Sequence, residues 1–176
     1  MGLTLSTLLF VLLIFIISGI LAWGPVRDAE LWKKLPRHRN VGGILALICL
    51  IWCAAYALPM FEGAAENFRV IIKLLVPIIA ILAYFFLSYI FARALGGVLV
   101  LSASHLLAAS FAARPEGRAF YALFCYLFAA AGLTIIVFPW LLRDLLEKAI
   151  HTKRYRFLIP GVMSAMALIM AIIAIA

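Results

Sequence analysis

The sequence is poor in acidic residues, and none of them lies inside its long apolar stretches. Asp and Glu together number seven, against fifteen Lys and Arg, in a chain of 176 residues. The seven acids lie between the apolar stretches or at their ends: Asp28, Glu30, Glu62, Glu66, Glu116, Asp144 and Glu147. Proton- and sodium-coupled transporters generally hold a carboxylate within the membrane. The distribution of acids therefore argues against that class of protein.

Residue types that bind metals and cofactors are also scarce, with three cysteines and three histidines. Cys49 and Cys53 lie four residues apart on one helical face, where we interpret them as small apolar packing residues. His105 lies inside an apolar stretch, whereas His38 and His151 lie in polar links, so a bis-histidine membrane haem would need a second subunit. No zinc motif, phosphate-binding loop or nucleophile–base pair is present. We expect no bound metal, no cofactor and no catalytic residue.

Polar residues are too few for a water-soluble domain. The chain is 68% hydrophobic with a mean hydropathy of +1.21, whereas soluble domains average about 45–50% apolar residues. A small domain cannot bury so large an apolar fraction, because its ratio of surface to volume is high. A membrane-spanning helix needs about 20 apolar residues to cross about 30 Å of hydrocarbon. The sequence therefore predicts a helical integral membrane protein.

Six stretches meet this length requirement, and short links between them use up the chain. They are residues 3–23, 41–60, 70–91, 94–113, 119–142 and 157–176. We predict an all-α fold, a single polytopic membrane bundle over 1–176 with six transmembrane helices and basic links at 24–40 and 143–156. In the second link, charges recur at helical spacing over 143–151, which predicts a helix on the membrane surface.

The apolar run over 70–113 is too long to be one span. A straight helix over about 44 residues would measure about 66 Å, about twice the hydrocarbon thickness. Near its middle, one short segment combines a charge, Arg93, with two adjacent glycines, Gly96 and Gly97, and glycine favours a change of chain direction. The sequence therefore predicts a tight turn over 92–97.

Basic residues set the predicted orientation. Each basic link carries five Lys or Arg, and with six spans both links and Arg93 fall on the same side. The positive-inside rule makes that side cytoplasmic, so both termini lie on the outer side. With five spans the two links would face opposite sides. We therefore predict an inner (cytoplasmic) or plasma membrane protein with external termini.

The net charge of +8 is explained by these links and does not indicate nucleic-acid binding. Lys and Arg beside a membrane attract anionic lipid headgroups. The residues for which we expect headgroup contact are Lys33, Lys34, Arg37, Arg39, Lys153, Arg154 and Arg156. Membrane lipids with anionic headgroups are therefore the first predicted partners.

His105 and Ser102 are candidate functional residues in the fourth predicted span. An ionisable side chain at this depth faces the bundle interior or a cavity. Most other residues on this helical face are alanines, which favour close helix contact. Two interpretations follow for His105. It is a proton relay or ligand, or, as we favour, a neutral imidazole hydrogen-bonded across a helix interface.

Arg93, Gly96 and Gly97 form the second candidate group. At a cytoplasmic turn Arg93 would fix the topology, which is the interpretation we favour. The alternative is an anion or headgroup site, because the bare backbone of Gly96 and Gly97 would let a ligand approach.

Together these features favour a small membrane subunit or scaffold without autonomous catalysis. Small residues four apart in the last span, such as Gly161 and Ala165, support packing against the same chain or another membrane protein. One alternative is a channel or carrier for a neutral or anionic small solute, using Arg93 and His105. A second alternative is a membrane-embedded enzyme that acts on lipid headgroups at the basic face.

Overall fold

The computed structural model describes residues 2–27, 39–60 and 66–175, which form seven helices and no strand. The helices are α1 Gly2–Arg27, α2 Arg39–Met60, α3 Glu66–Phe86, α4 Ile90–Ala113, α5 Arg118–Val137, α6 Trp140–His151 and α7 Lys153–Ile175. Backbone groups in lipid must be hydrogen-bonded within the segment, which explains why apolar stretches of this length adopt helices. The all-α fold class is confirmed.

Five helices are long and apolar enough to cross a membrane: α1, α2, α4, α5 and α7. Helix α3 contains a shorter apolar segment, Leu74–Phe86, which is below the length of the other five. The remaining helix, α6, has 12 residues and is amphipathic. The architecture is a helical bundle that is compatible with a membrane protein.

Four of the helices, α1, α4, α5 and α7, share the main core. Its buried residues are Leu3, Phe10, Val11, Ile14, Leu99, Ala103, Leu106, Tyr121, Cys125, Phe128, Ala167, Met170 and Ala171. Helix α4 packs most extensively on α5, and α1 on α7. Phe10 and Phe128 meet edge to face with ring centroids 5.1 Å apart, a favoured aromatic geometry.

Helices α2 and α3 lie outside this core. Helix α2 packs along α4, and the extensive contacts of α3 within the described ranges are with α2 alone. A Cβ built at Gly42 would lie 2.6 Å from the Phe91 backbone nitrogen, while Tyr56 reaches His105 further along both helices. Helices α2 and α4 therefore run in the same direction.

The turn predicted over 92–97 is wrong. Helix α3 ends at Phe86 and α4 begins at Ile90, and between them Tyr89 adopts a left-handed conformation with φ 59°. Helix α4 continues unbroken through Gly96 and Gly97. At Gly96 the neighbouring helix α5 approaches α4 closely, and neither glycine changes the direction of the chain.

The predicted span over 119–142 is also divided. Helix α5 ends at Val137 and α6 starts at Trp140, with Pro139 between them. Proline cannot donate the backbone hydrogen bond that would continue a helix, and it disfavours helical geometry in the preceding residue. The helix predicted over 143–151 is present within α6. Its buried Leu142 and Leu146 pack against Ala92 of α4.

Candidate functional site

A groove between α1 and α2, with α4 as its floor, holds both candidate residues of the fourth predicted span. Its volume is about 420 Å³. Ser102 and His105 come from α4, Ser6 from α1 and Trp52 from α2, and the rest of the lining is apolar. The groove forms because α1 and α2 both pack on α4 without extensive contact with each other.

His105 is held from α2 by a tyrosine. The Tyr56 hydroxyl forms a hydrogen bond with Nδ1 of His105, and the two rings meet edge to face with centroids 6.0 Å apart. When the neutral imidazole carries its proton on Nε2, Nδ1 accepts this bond and Nε2–H remains a donor. Tyr56 could not be identified as the partner from the sequence, because residue spacing within α4 does not show which neighbouring helix lies opposite.

Ser102 lies one helical turn before His105 and is 7% exposed. Its hydroxyl has no hydrogen-bond partner in the ranges that the structure describes, and it lines the groove. The Ser102 and His105 side chains are not hydrogen-bonded to each other there, so the pair lacks the contact that an activated serine nucleophile needs. The arrangement suits hydrogen bonding to a neutral molecule.

Two polar side chains in or near the groove are hydrogen-bonded to backbone oxygens. The Ser6 hydroxyl donates to the backbone oxygens of Gly2, at 2.8 Å, and Leu3, at 3.0 Å. The Cys49 thiol donates to the Ala94 oxygen at 3.4 Å. Serine and cysteine bonds of this kind satisfy the side chain against a helix backbone in an apolar setting. The groove is therefore apolar apart from a few placed groups.

Arg93, Gly96 and Gly97 all lie in the first half of α4. Arg93 lies in the first turn of α4, where its backbone N–H donates to the Tyr89 oxygen at 3.2 Å. A Cβ built at Gly96 would lie 2.6 Å from the Gly132 oxygen of α5. The bare backbone of Gly96 is therefore covered by α5, which leaves no room for a ligand at that residue, and an anion site at Arg93 and Gly97 stays a prediction.

Several of the basic residues predicted to contact headgroups lie at one end of the bundle. Arg39 begins α2 and lines a surface pocket with residues 87–90. Lys153, Arg154 and Arg156 lie in the first turn of α7, next to the last turn of α6. Lys33, Lys34 and Arg37 lie outside the described residues.

Arg143 of α6 is paired with two acids on the same helix. Its guanidinium lies 3.1 Å from Asp144 and 3.7 Å from Glu147, with all three side chains partly exposed. The hydrogen bond to Asp144, with the nearby negative charges, raises the pKa of Arg143 above its ordinary value. Because solvent screens exposed ion pairs, these contacts orient the Arg143 side chain more than they stabilise the fold.

A buried polar contact in the core was not identified from the sequence. The hydroxyls of Thr7 in α1 and Tyr121 in α5 are 2.7 Å apart, and both residues are fully buried. The Thr7 hydroxyl also lies 2.7 Å from the Leu3 oxygen, to which it donates, so it accepts the proton of Tyr121. Their positions inside apolar stretches could have indicated such a contact, since polar groups in lipid need hydrogen-bond partners.

Comparison with protein-family models, with curated proteins and with solved structures finds no match to this chain. Among the residues that the structure describes, no three His, Cys, Asp or Glu side chains cluster in a way that could hold a metal ion. The features that bear on function are therefore the groove, the helix surfaces and the basic end of the bundle.

Proposed function

We propose that this chain is a small integral membrane subunit that assembles through close helix contacts with itself or another membrane protein, without catalysis of its own. The supporting observation is an open small-residue surface on α7. Gly161 and Ala165 are exposed there, and a Cβ built at Gly161 would meet nothing within 4 Å. Small residues four apart let two membrane helices approach closely.

Helix α1 extends this surface. Ser18 donates a hydrogen bond to the Pro160 oxygen at 3.3 Å, so Gly19 and Gly161, the next residue in each helix, lie at the same level. Gly19 is also exposed, with nothing within 4 Å of a built Cβ. Within the chain, α4 and α5 approach each other closely at Gly96 and Gly132, where neither residue has a side chain. The α1–α7 surface therefore has exposed glycines that would let a helix of another subunit approach closely, as α5 approaches α4.

The proposal includes six spans with both termini on the outer side. Helices α2 and α4 run in the same direction, so the chain between them must return along the bundle. Helix α3 has the length for this return, since its 21 residues measure about 32 Å. Arg39, Arg93 and Arg156 lie at one end of the bundle, where the positive-inside rule would place the cytoplasm.

Gentle purification of the full chain, followed by native mass spectrometry, tests the subunit proposal. We expect a homo-oligomer or a stoichiometric membrane partner. Gly161→Leu should disrupt that assembly because its side chain would hold the helices apart, whereas Val162→Leu, on an exposed neighbouring position, should preserve it. A wild-type chain that is monomeric without a partner, or an assembly that Gly161→Leu leaves intact, would contradict the proposal.

A second candidate function is a carrier or binding protein for a small neutral solute. It is favoured by the groove, in which Ser102 offers an unused hydroxyl among apolar side chains. The purified protein in liposomes tests it. The subunit proposal expects no uptake driven by an imposed pH or Na⁺ gradient, whereas gradient-driven flux that is lost in Ser102→Ala or His105→Ala would favour the carrier.

A further inference from the structure

An apolar cavity lies at the basic end of the bundle, beneath α6. Its volume is about 90 Å³, and five helices contribute to its wall. Its deep lining is apolar throughout, and includes Leu21, Leu99, Ile135, Leu146 and Pro160. The volume exceeds the roughly 10–15 Å³ that one water molecule needs, but ordered water also needs two to four polar partners. Hydrocarbon suits this cavity better than water does.

Arg156 stands at the edge of the same cavity. It lines the cavity with Tyr155, and its side chain is half-buried. Its Nε is fully buried and has no hydrogen-bond partner within the described part of the chain, while its guanidinium carbon lies 5.4 Å from the centroid of the Phe157 ring. A buried N–H without a partner is costly, and the guanidinium is suited to bind phosphate through two parallel hydrogen bonds.

The surroundings of Arg156 add positive charge. Lys153 and Arg154 are exposed in the same turn of α7, and Lys148 is exposed on the last turn of α6. The acids Asp144 and Glu147 of α6 are already paired with Arg143. An anionic group at this end of the bundle therefore meets several cations, and the nearest carboxylates are partly neutralised.

We propose that this cavity and Arg156 form a binding site for one anionic phospholipid, whose phosphate binds Arg156 and part of whose acyl chain enters the cavity. The charge at the mouth selects an anionic headgroup, and the apolar interior requires an attached hydrocarbon chain. Free phosphate lacks the chain, and a zwitterionic lipid carries a compensating cation. The site differs from general attraction to the basic surface, because it holds a single lipid at one residue.

Native mass spectrometry of the delipidated full chain tests this inference by titration with phosphatidylglycerol, phosphatidylcholine of the same acyl chains, and glycerol 3-phosphate. We expect one phosphatidylglycerol per chain, bound at least about tenfold more tightly than phosphatidylcholine, because the choline cation of phosphatidylcholine is repelled by the basic side chains around Arg156. Glycerol 3-phosphate should not compete. Equal binding of the two lipids would overturn the proposal, and competition by glycerol 3-phosphate would indicate a phosphate site without a chain.

Two matched variants locate the site. Arg156→Gln should weaken phosphatidylglycerol binding by about tenfold, whereas Arg154→Gln, which removes an exposed charge two residues away, should weaken it by less than about fivefold. Equal weakening by the two variants would show that general surface charge, and not a specific site at Arg156, accounts for the binding. Ala149→Leu adds bulk to the cavity wall. The unfolding temperature shows whether this variant still folds. A variant that folds like the wild type and binds the lipid with wild-type affinity would show that the acyl chain does not enter the cavity.

Discussion

Gly96 and Gly132 face each other across the contact between α4 and α5. A Cβ built at Gly96 would lie 2.6 Å from the Gly132 oxygen, and one built at Gly132 would lie 2.7 Å from the Gly96 oxygen. Both distances are shorter than a real carbon contact allows, and in each case the opposing atom belongs to a helix backbone. The approach of the two helices therefore requires glycine on both sides.

Alanine at either position should destabilise the fold. We expect Gly96→Ala and Gly132→Ala each to lower the free energy of unfolding by about 1–3 kcal/mol, the usual cost of overpacking. Unfolding in mixed detergent measures this. Gly161→Ala is the matched control, because its Cβ enters open space, and it should be neutral or slightly stabilising since alanine favours the helix. Equal destabilisation by all three variants would contradict the explanation.

The Thr7–Tyr121 contact should respond unequally to its two single substitutions. Tyr121→Phe leaves Thr7 bonded to the Leu3 oxygen, so we expect a cost of about 0.6 kcal/mol, the average for such bonds in membranes. Thr7→Val keeps the side-chain shape but leaves the buried Tyr121 hydroxyl without its acceptor, which costs about 1–3 kcal/mol.

The double variant of this contact gives the sharper test. Adding Tyr121→Phe to Thr7→Val removes the buried Tyr121 hydroxyl that has lost its acceptor, so the double variant should be more stable than Thr7→Val alone. Equilibrium unfolding of the four proteins yields the coupling energy. Costs that simply add would show that the two hydroxyls do not depend on each other.

His105 should contribute to helix packing through Tyr56. We expect Tyr56→Phe and His105→Ala each to lower stability by about 0.6 kcal/mol through the shared hydrogen bond, with His105→Ala losing some ring contact in addition. The double variant should cost less than the sum. Unfolding measurements and the assembly state by native mass spectrometry check this. A visible-light haem spectrum in the wild type that disappears in His105→Ala would overturn the packing role.

Single cysteines test the orientation. In a background that lacks the three native cysteines, Glu116→Cys lies between α4 and α5, and Thr152→Cys lies between α6 and α7; both positions are exposed. In intact cells a membrane-impermeant thiol reagent should label position 116 and spare position 152, since the basic end should face the cytoplasm. The reverse pattern would invert the topology, and labelling of both sites would refute the alternating spans.

Part of the candidate site was predictable from the sequence. His105 stood out because an ionisable residue inside an apolar stretch must face other helices or a cavity, and Ser102 lies one turn away on the same face. Tyr56 and Trp52 were not identified, because their role depends on α2 packing beside α4. Gly96 and Gly97 suggested a turn because glycine serves both chain reversal and close packing, and the sequence does not distinguish these uses.

The sequence by itself determined the helical fold and its apolar character, because the composition and length of each stretch leave a backbone in lipid no alternative to the helix. It also determined that charges lie at the ends of the apolar stretches. The tertiary structure decided which helices are neighbours: Gly132 opposite Gly96, Tyr56 beside His105, and α6 over the cavity at Arg156. Helices in lipid choose neighbours by shape and by a few hydrogen bonds between distant residues, and periodicity within one helix does not contain that information.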